Sequence, residues 1–403
     1  MKNDLIYKLL DPQRFALLDI AHLYHEAGYR CLLVGGSVRD LCLGSVPADF
    51  DMATNAPVEV SQRLFKKVIP TGVKHGTVTV RHLGKSYEIT RFRQDVDTDG
   101  RHAVVEFSET IEEDLNRRDL RINAMAYDLL VNQLIDPLGG CADIENRLVQ
   151  FVGEAQKRIT EDHLRALRYL RMIHKLKPFG FTYIETEWAA VKSTFDPKFL
   201  TIERVYDELS KMRSLGLGNE AVLVGQLNEL KVFRAFVDPQ AEVLALDWMF
   251  RSGNHTGLGV LAALHQGVSK PPSGLRLTKQ ESKQARLILT YWDEDLTNQV
   301  KLKSFLSQLP ADARLPISQL YQGLRGTLIA DETSRILEAN EPLGPGDLCL
   351  SSKDLIQLGF QGPGLGRVQR ELLSLVWSDP SLNEKMILLE QVKQRKKQDS
   401  QNE

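Results

Sequence analysis

Two carboxylates one residue apart, Asp49 and Asp51, follow the run Gly35-Gly36-Ser37-Val38-Arg39-Asp40 after eight intervening residues. On a strand, residues i and i+2 share a face, so Asp49 and Asp51 are expected to converge while Phe50 and Met52 turn towards an apolar core. Paired carboxylates repel one another in water and become useful when a divalent cation lies between them. Magnesium takes a few carboxylates together with substrate phosphate oxygens, and two such ions, about 3.5–4 Å apart, can serve the attacking and leaving oxygens of a phosphoryl transfer. Glu88 is the candidate third acid, emerging with Thr90 on one strand face while Tyr87 and Ile89 enter the core. Gly35, Gly36 and Ser37 would let the backbone approach a phosphate and form an anion nest, with Arg39 placed to contact a triphosphate. A lone DxD is most often a solvated strand face or turn, and Gly-Gly before a helix is common. The combination of apolar strand, Gly-Gly, Arg and then DxD is much rarer.

The elements needed to hold these residues are legible. Phe15 to Ala27 has helical apolar spacing (Phe15, Leu18 and Ala21, with Leu17 and Ile20 beside them), and Gly28 supplies a stop. Arg30 to Val34 reads as a buried strand ended by Gly35-Gly36. Pro57 to Val68 reads as a helix; Thr77 to Leu83 and Ser86 to Phe92 read as strands joined at Gly84-Lys85. From Asp143 onward helical periodicity dominates, with Thr160 to Leu176 and Ile202 to Leu215 the clearest helices. Breaks rich in Pro, Gly and Ser fall at 252–257, 270–274 and 342–346. The charged run from Lys393 to Glu403 is expected to be frayed or disordered.

The 403 residues imply two to four domains, and 42% hydrophobic with 26% charged residues describes a globular chain. A net charge of −2 argues against an evenly basic surface but leaves room for a local basic stripe that binds phosphate. Cys31, Cys42, Cys141 and Cys349 form no CxxC pair, so neither a disulfide framework nor a zinc site is expected. No signal or transit segment and no membrane span is evident, and a reducing, cytoplasmic setting is expected.

The motifs in order are Leu33-Val34-Gly35-Gly36-Ser37-Val38-Arg39-Asp40, Asp49-Phe50-Asp51-Met52-Ala53-Thr54-Asn55, His75-Gly76-Thr77-Val78, Asp99-Gly100-Arg101, Glu113-Asp114-Leu115, Arg117-Arg118-Asp119, Ile122-Asn123-Ala124-Met125-Ala126, Asp136-Pro137-Leu138-Gly139-Gly140 and the block Ile159 to Arg168. In these segments the chain resembles the class II tRNA nucleotidyltransferases and bacterial poly(A) polymerases of the polymerase-β-like superfamily. The likeness is dense over residues 30–175 and thin beyond, where Ile202-Glu203-Arg204 with Glu208-Leu209, and Lys353 to Leu373, look like later family motifs. It implies an α+β fold class: a polymerase-β-like nucleotidyltransferase head with a mixed sheet (1–145), followed by an all-α neck (146–215), body (216–330) and tail (331–403). The implied activity is template-independent addition of CMP and AMP to the tRNA 3′ end from CTP and ATP, with Mg²⁺ as cofactor and tRNA as partner.

The resemblance also assigns roles. Arg118, Asp119 and Asn123 match a sugar-recognition motif, in which Arg118 can pair with triphosphate and Asp119 can accept from a ribose hydroxyl. Asp162 and Arg165, three apart on a helix face, match a pair that reads the base: Asp162 accepts from the exocyclic amine of C or A, and Arg165 donates to the ring nitrogen. An ordinary Asp–Arg salt bridge in a first helical turn is the plain alternative. Arg168 and Arg171 continue the row as triphosphate contacts. Asp99 and Arg101 match a flexible loop that helps switch from CTP to ATP. Here His102-Ala103 follows where Arg-Pro is common, and Arg91 and Arg121 replace threonines, which bears on fine nucleotide specificity. CC-only or A-only addition, poly(A) synthesis and a non-catalytic RNA-binding role are the alternatives. The C-terminal half lacks the His-Asp pair with companion histidines of an added phosphohydrolase domain.

Overall fold

The computed structural model describes residues 5–98, 103–215, 220–232, 249 and 252–399, and divides into two compact units at Gly218/Asn219. The first unit is built on a seven-stranded sheet. Its strands are β1 (Cys31–Val34), β2 (Asp51–Thr54), β3 (Val68–Gly72), β4 (Thr77–His82), β5 (Lys85–Arg91), β8 (Ala126–Asp128) and β9 (Gln133–Ile135), in the spatial order β3-β4-β5-β2-β1-β8-β9. Only β2 and β5 are parallel; the other neighbours are antiparallel. A separate hairpin joins β6 (Arg93–Thr98) to β7 (Ala103–Phe107).

Burial explains this order. β1 is buried at every position, as expected of a central strand with covered faces. Helix α1 (Asp11–Glu26) lays Leu17, Ile20, Ala21 and Tyr24 into the core. Its apolar face is therefore turned from the expected one: Phe15 is 63% exposed, and Leu18 is only half-buried. Gly28 follows the end of α1 at φ +84°, in the left-handed region glycine tolerates. Three further expectations shift. The helix read over 57–68 is α3 (Val58–Leu64), because Val68 begins β3 and pairs with Val80 of β4. The β4–β5 turn is Leu83-Gly84, both at positive φ (46° and 81°), since His82 already pairs with Lys85. Asp49 precedes β2, in a bend, although Phe50 and Met52 are buried as the alternation predicted.

Helices α2 (Gly36–Cys42), α4 (Ile111–Asn116) and α5 (Gly140–Asn146) flank the sheet. The chain continues through α6 (Ala155–Glu161), α7 (Leu164–Leu176), α8 (Glu185–Thr194) and α9 (Ile202–Arg213). The single helix expected over 160–176 is thus interrupted at Asp162-His163. Asp162 is extended (φ −156°, ψ 109°), and its carboxylate accepts the Leu164 N–H at 3.0 Å, a local bond that competes with helical continuation. His163 is 5% exposed; its Nδ1 accepts the Asp196 N–H at 3.1 Å, and its ring stacks on Phe199 at 4.5 Å.

The second unit is helical in its described residues and holds two cores. One gathers Ile288, Phe305, Tyr321 and Ile336; the other gathers Leu350, Leu355, Leu372, Val376 and Leu388. The three expected breaks fall at helix starts or in connections around Thr256–His265, Ser273–Leu275 and Pro345–Asp347. The terminal run, expected to be frayed from Lys393, is helical as far as Asp399: the helix Lys385–Asp399 is anchored by buried Leu388 and Val392, and Arg395 pairs with Glu371, while 400–403 lie outside the described residues. No helix among the described residues is long and apolar enough to cross a membrane.

One buried and one half-buried ionisable group yield tests. Lys303 is 1% exposed and bonds Glu341 at 2.7 Å and the Trp377 carbonyl at 3.1 Å. Arg335 also holds Glu341 at 2.7 Å, so Lys303→Met mainly orphans the carbonyl. It should destabilise the second unit by about 1–3 kcal/mol in urea denaturation. In the first unit, Glu187 accepts the Phe151 N–H at 3.3 Å. Burial pushes its carboxyl up to about 7, despite that bond and the Tyr169 hydroxyl. The folded-state value lies above the ordinary carboxylate range, so folding favours the neutral form and this group's contribution falls as pH rises towards 7. Glu187→Gln should therefore raise the melting temperature at pH 8 and lose that advantage at pH 5; an equal gain at both pH values would contradict the assignment.

Candidate active site

A cleft of about 1080 Å³ opens in the first unit. Its lining includes Gly35, Gly36, Ser37, Arg39, Asp49, Asp51, Glu88, Arg118, Asp119, Asn123, Asp162, Arg165, Arg168 and Arg171. The remaining two residues singled out from the sequence, Asp99 and Arg101, lie outside the described residues.

The acidic wall is set by strand pairing. β2 runs parallel to β5 with Asp51 opposite Glu88, while Met52 and Ile89, the next pair, are buried. More than a third of Asp51 remains accessible. Its carboxyl nonetheless sits where the cleft walls remove water, and this desolvation raises its pKa, with Asp49 adding and Arg118 opposing. Glu88 is raised for the same first reason, and Asp51 adds to it. Among the described residues, no three His, Cys, Asp or Glu side chains are grouped closely enough to enclose a cation by themselves.

Ser37 ties this wall to the glycine turn. Its hydroxyl donates to the Asp49 carbonyl at 3.0 Å and accepts the Asp51 N–H at 3.1 Å, with the residue 3% exposed. Its hydroxyl is thus engaged by the backbone of the acidic segment. Gly35 has φ +71°, and a Cβ there would lie 2.8 Å from Arg118 Nη1. The turn therefore needs glycine for its backbone, and a Cβ there would also displace the end of the Arg118 side chain.

Arg39, expected to contact the triphosphate, lines the cleft with its guanidinium already engaged. It is 3% exposed; its Nε and Nη2 bond Asp40 at 2.9 and 2.7 Å, and its Nη1 donates to the Asn123 side chain. Burial and these partners make it part of the cleft floor.

The other arginines are held by buried carboxylates. Asp114, 1% exposed, bonds Arg118 at 2.9 Å and Arg117 at 3.0 Å. Asp119, 6% exposed, accepts Arg168 Nε at 2.6 Å and the Leu120 N–H at 2.9 Å. Glu208, 1% exposed, accepts Arg171 Nε at 2.6 Å and Lys211 Nζ at 2.9 Å. Burial opposes the charge of each acid, and the paired cations overcome it, holding all three carboxyls below the usual range. Arg168 and Arg171 both use Nε for their anchors, one turn apart on α7.

Asp162 and Arg165 do not share a continuous helix face, because Asp162 sits in the break before α7. Arg165 pairs with Glu161 at 2.5 Å and donates to the Arg117 carbonyl at 3.2 Å. Asp162 instead pairs with Arg204 of α9, at 3.1 and 2.9 Å to its two oxygens. Arg204 and Glu208 were matched to a later family motif without a stated contact, and their spacing of four places them on one face of α9. Lys175 and Lys211 also line the cleft and were not singled out. Lys175 lies one further turn along the Arg168–Arg171 row, a signal available in the helical spacing.

A family model described as the poly A polymerase head domain matches residues 31–150. The CCA-adding enzyme of Geobacillus stearothermophilus is 32% identical over 395 residues, spanning 89% of this chain and 91% of that protein. The CCA-adding enzyme of Lactobacillus johnsonii is 44% identical over 206 residues, 50% of each chain. The crystal structure of the Bacillus stearothermophilus CCA-adding enzyme in complex with CTP matches with a TM-score of 0.62 at 28% identity, covering 97% of this chain and 100% of that one. The Thermotoga maritima CCA-adding enzyme complexed with tRNA shares the fold, with a TM-score of 0.64 at 18% identity and coverage of 96% and 97%. With a relative this similar along nine-tenths of its length, and with the head-domain match lying over the cleft's acidic wall, the chain belongs to the CCA-adding enzyme family of tRNA nucleotidyltransferases.

Proposed function

We propose that this protein extends tRNA 3′ ends by CMP, CMP and AMP, drawing on CTP and ATP and releasing pyrophosphate without a nucleic-acid template. The observation that carries this reading is one cleft that brings the Asp49–Asp51–Glu88 wall together with tethered arginines and with Asp162 and Arg165. Enzymes of this family generally use a divalent metal. The donor set suits Mg²⁺, which accepts one or two carboxylates and completes its shell with substrate phosphate and water. Asp49 and Asp51 would hold it, with Glu88 beside them. When bound, Mg²⁺ supplies charge neutralisation at the attacking 3′-hydroxyl and the leaving pyrophosphate.

The chain's own residues do the positioning. Arg118, Arg168 and Arg171 bind the triphosphate, the last two through the guanidinium nitrogens beyond their anchored Nε atoms. Because buried carboxylates already hold them, little reorganisation is needed when charge develops on the phosphates. The turn at Gly35-Gly36 lets the backbone approach the nucleotide, and Asp119 and Asn123 line the sugar side. Asp162 accepts from the exocyclic amine of cytosine or adenine, and Arg165 donates to the ring nitrogen. Uracil and guanine present the opposite pattern at those positions. Asp99 and Arg101 serve the change from CTP to ATP. We assign the head to 1–145, the neck to 146–215, the body to 216–330 and the tail to 331–403; body and tail grip tRNA through phosphates, so binding weakens with salt. The setting is cytoplasmic.

The test is extension of a tRNA transcript lacking CCA, with Mg²⁺. The expected products are two added nucleotides with CTP alone and three with CTP plus ATP. Two under both conditions would mean a CC-adding enzyme, addition only to tRNA ending in CC an A-adding one, and a long A tail a poly(A) polymerase. Retained tRNA binding with no extension would sink the enzymatic reading. Asp49→Ala or Asp51→Ala should lower the rate by roughly a thousandfold or more. Gly35→Ala should lower kcat/KM for CTP by about tenfold or more, the cost of forcing a Cβ into a left-handed turn against Arg118.

A further inference from the structure

Outside the lining of the cleft, two thiols meet. Cys42 closes α2, Cys141 is the second residue of α5, and the two helices pack together. The Cys42 and Cys141 side chains are hydrogen-bonded to each other, with the Asp136 carboxyl beside them. Cys141 is 6% exposed and its sulfur lies 3.8 Å from Met125 Sδ, whereas Cys42 is half-buried. The contact with Cys42, and then burial, push the Cys141 thiol well above the usual range, so it stays protonated. Both sulfurs are tied to the glycine turn. From Cys42, α2 runs back through Arg39 to Gly36. On the other side, Asp136 accepts the Gly140 and Cys141 N–H groups at 2.7 and 2.8 Å. Gly140 sits so close to the segment carrying Asn123 that a Cβ there would collide with the Arg121 carbonyl and the Met125 side chain. The Met125 carbonyl in turn accepts the Gly35 N–H at 3.1 Å.

We propose that Cys42 and Cys141 form an oxidation site, at which hydrogen peroxide converts the thiol pair to a disulfide and so restrains the glycine turn. The Cys42 sulfur, the more accessible of the two, attacks the peroxide. An S–O bond forms, the O–O bond breaks, and one water leaves with the Cys42 proton. The Cys141 sulfur then attacks the resulting sulfenic acid. The S–S bond forms, the S–O bond breaks, and the hydroxyl departs as water with the Cys141 proton. The two thiols give up two electrons in all, and one peroxide becomes two waters. Because packed helices already hold the sulfurs side by side, no long loop must be closed to join them. The bond draws the end of α2 towards the start of α5, and both lead into the turn at Gly35. In a reducing compartment such a disulfide is transient and serves to sense oxidant rather than to stabilise the fold.

The test treats folded, full-length Cys349→Ser protein with hydrogen peroxide, because the exposed Cys349 could otherwise join two copies. Tryptic peptides are read by mass spectrometry without reduction, and extension kinetics are measured before and after dithiothreitol. The expected result is one linked peptide pair holding Cys42 and Cys141, with kcat/KM for CTP lowered by about fivefold or more and regained on reduction. In the same background, Cys42→Ser should give no link and keep its activity through the treatment, and Cys141→Ser should give no link. Thermal melting checks the folding of each; if Cys141→Ser does not fold, Cys42→Ser carries the comparison. Recovery of Cys42 and Cys141 only in separate peptides would overturn the site, and that readout does not depend on tRNA extension. A linked pair with unchanged CTP kinetics, or an equal loss of activity in Cys42→Ser, would overturn its hold on the cleft.

Discussion

The Ser37 hydroxyl links two segments on which the whole cleft depends. Donating to the Asp49 carbonyl and accepting from the Asp51 amide, it fastens the first turn of α2 to the strand that carries the acids. That strand lies between antiparallel β1 and parallel β5, so its register brings Asp51 level with Glu88 and sends Met52 and Ile89 into the core. A slip of one residue would exchange those faces, burying acids and exposing apolar side chains. The hydrophobic core and the acidic wall are thus enforced by the same pairing. Beside it, Gly35 takes a positive φ, and its missing side chain leaves room for Arg118.

A second pattern is the tethering of cations by buried acids. Asp114, Asp119 and Glu208 are each nearly inaccessible, and each holds an arginine that reaches the cleft. A buried carboxylate without a partner is costly, and a loose arginine must surrender rotamer freedom when it binds phosphate. Pairing them meets the first cost in the folded state and removes much of the second from catalysis. Arg171 also shows how a helix lined with positive charge can pack against α9: its partner contributes Glu208 to the contact, while Arg168 turns to Asp119.

The second unit follows a different logic. Its two apolar cores carry the packing, and polar groups enter them only when tightly satisfied, as Lys303 is by Glu341 and the Trp377 carbonyl. Leu388 and Val392 continue that packing into a terminal helix whose last residues are almost wholly charged or polar. Composition pointed to fraying from Lys393, yet the helix begun on those two apolar anchors continues to Asp399.

Local spacing carried much of the architecture. The alternation around Asp51 and Glu88, the Gly-Gly turn and the three-residue row through Arg168 and Arg171 are near-neighbour patterns, and near-neighbour patterns are what periodicity records. The sequence by itself therefore determined the α+β head, the helical remainder and most of the residues that meet in the cleft. The partners were decided only by tertiary structure. That Arg39 would be buried against Asn123, that Asp162 would leave its helix and turn to Arg204 forty-two residues on, and that Val68 would join an edge strand all depend on segments distant in the chain. Their bonding groups have no fixed offset to betray them, because a side-chain contact is set by the packing of whole elements rather than by the step of one helix or strand.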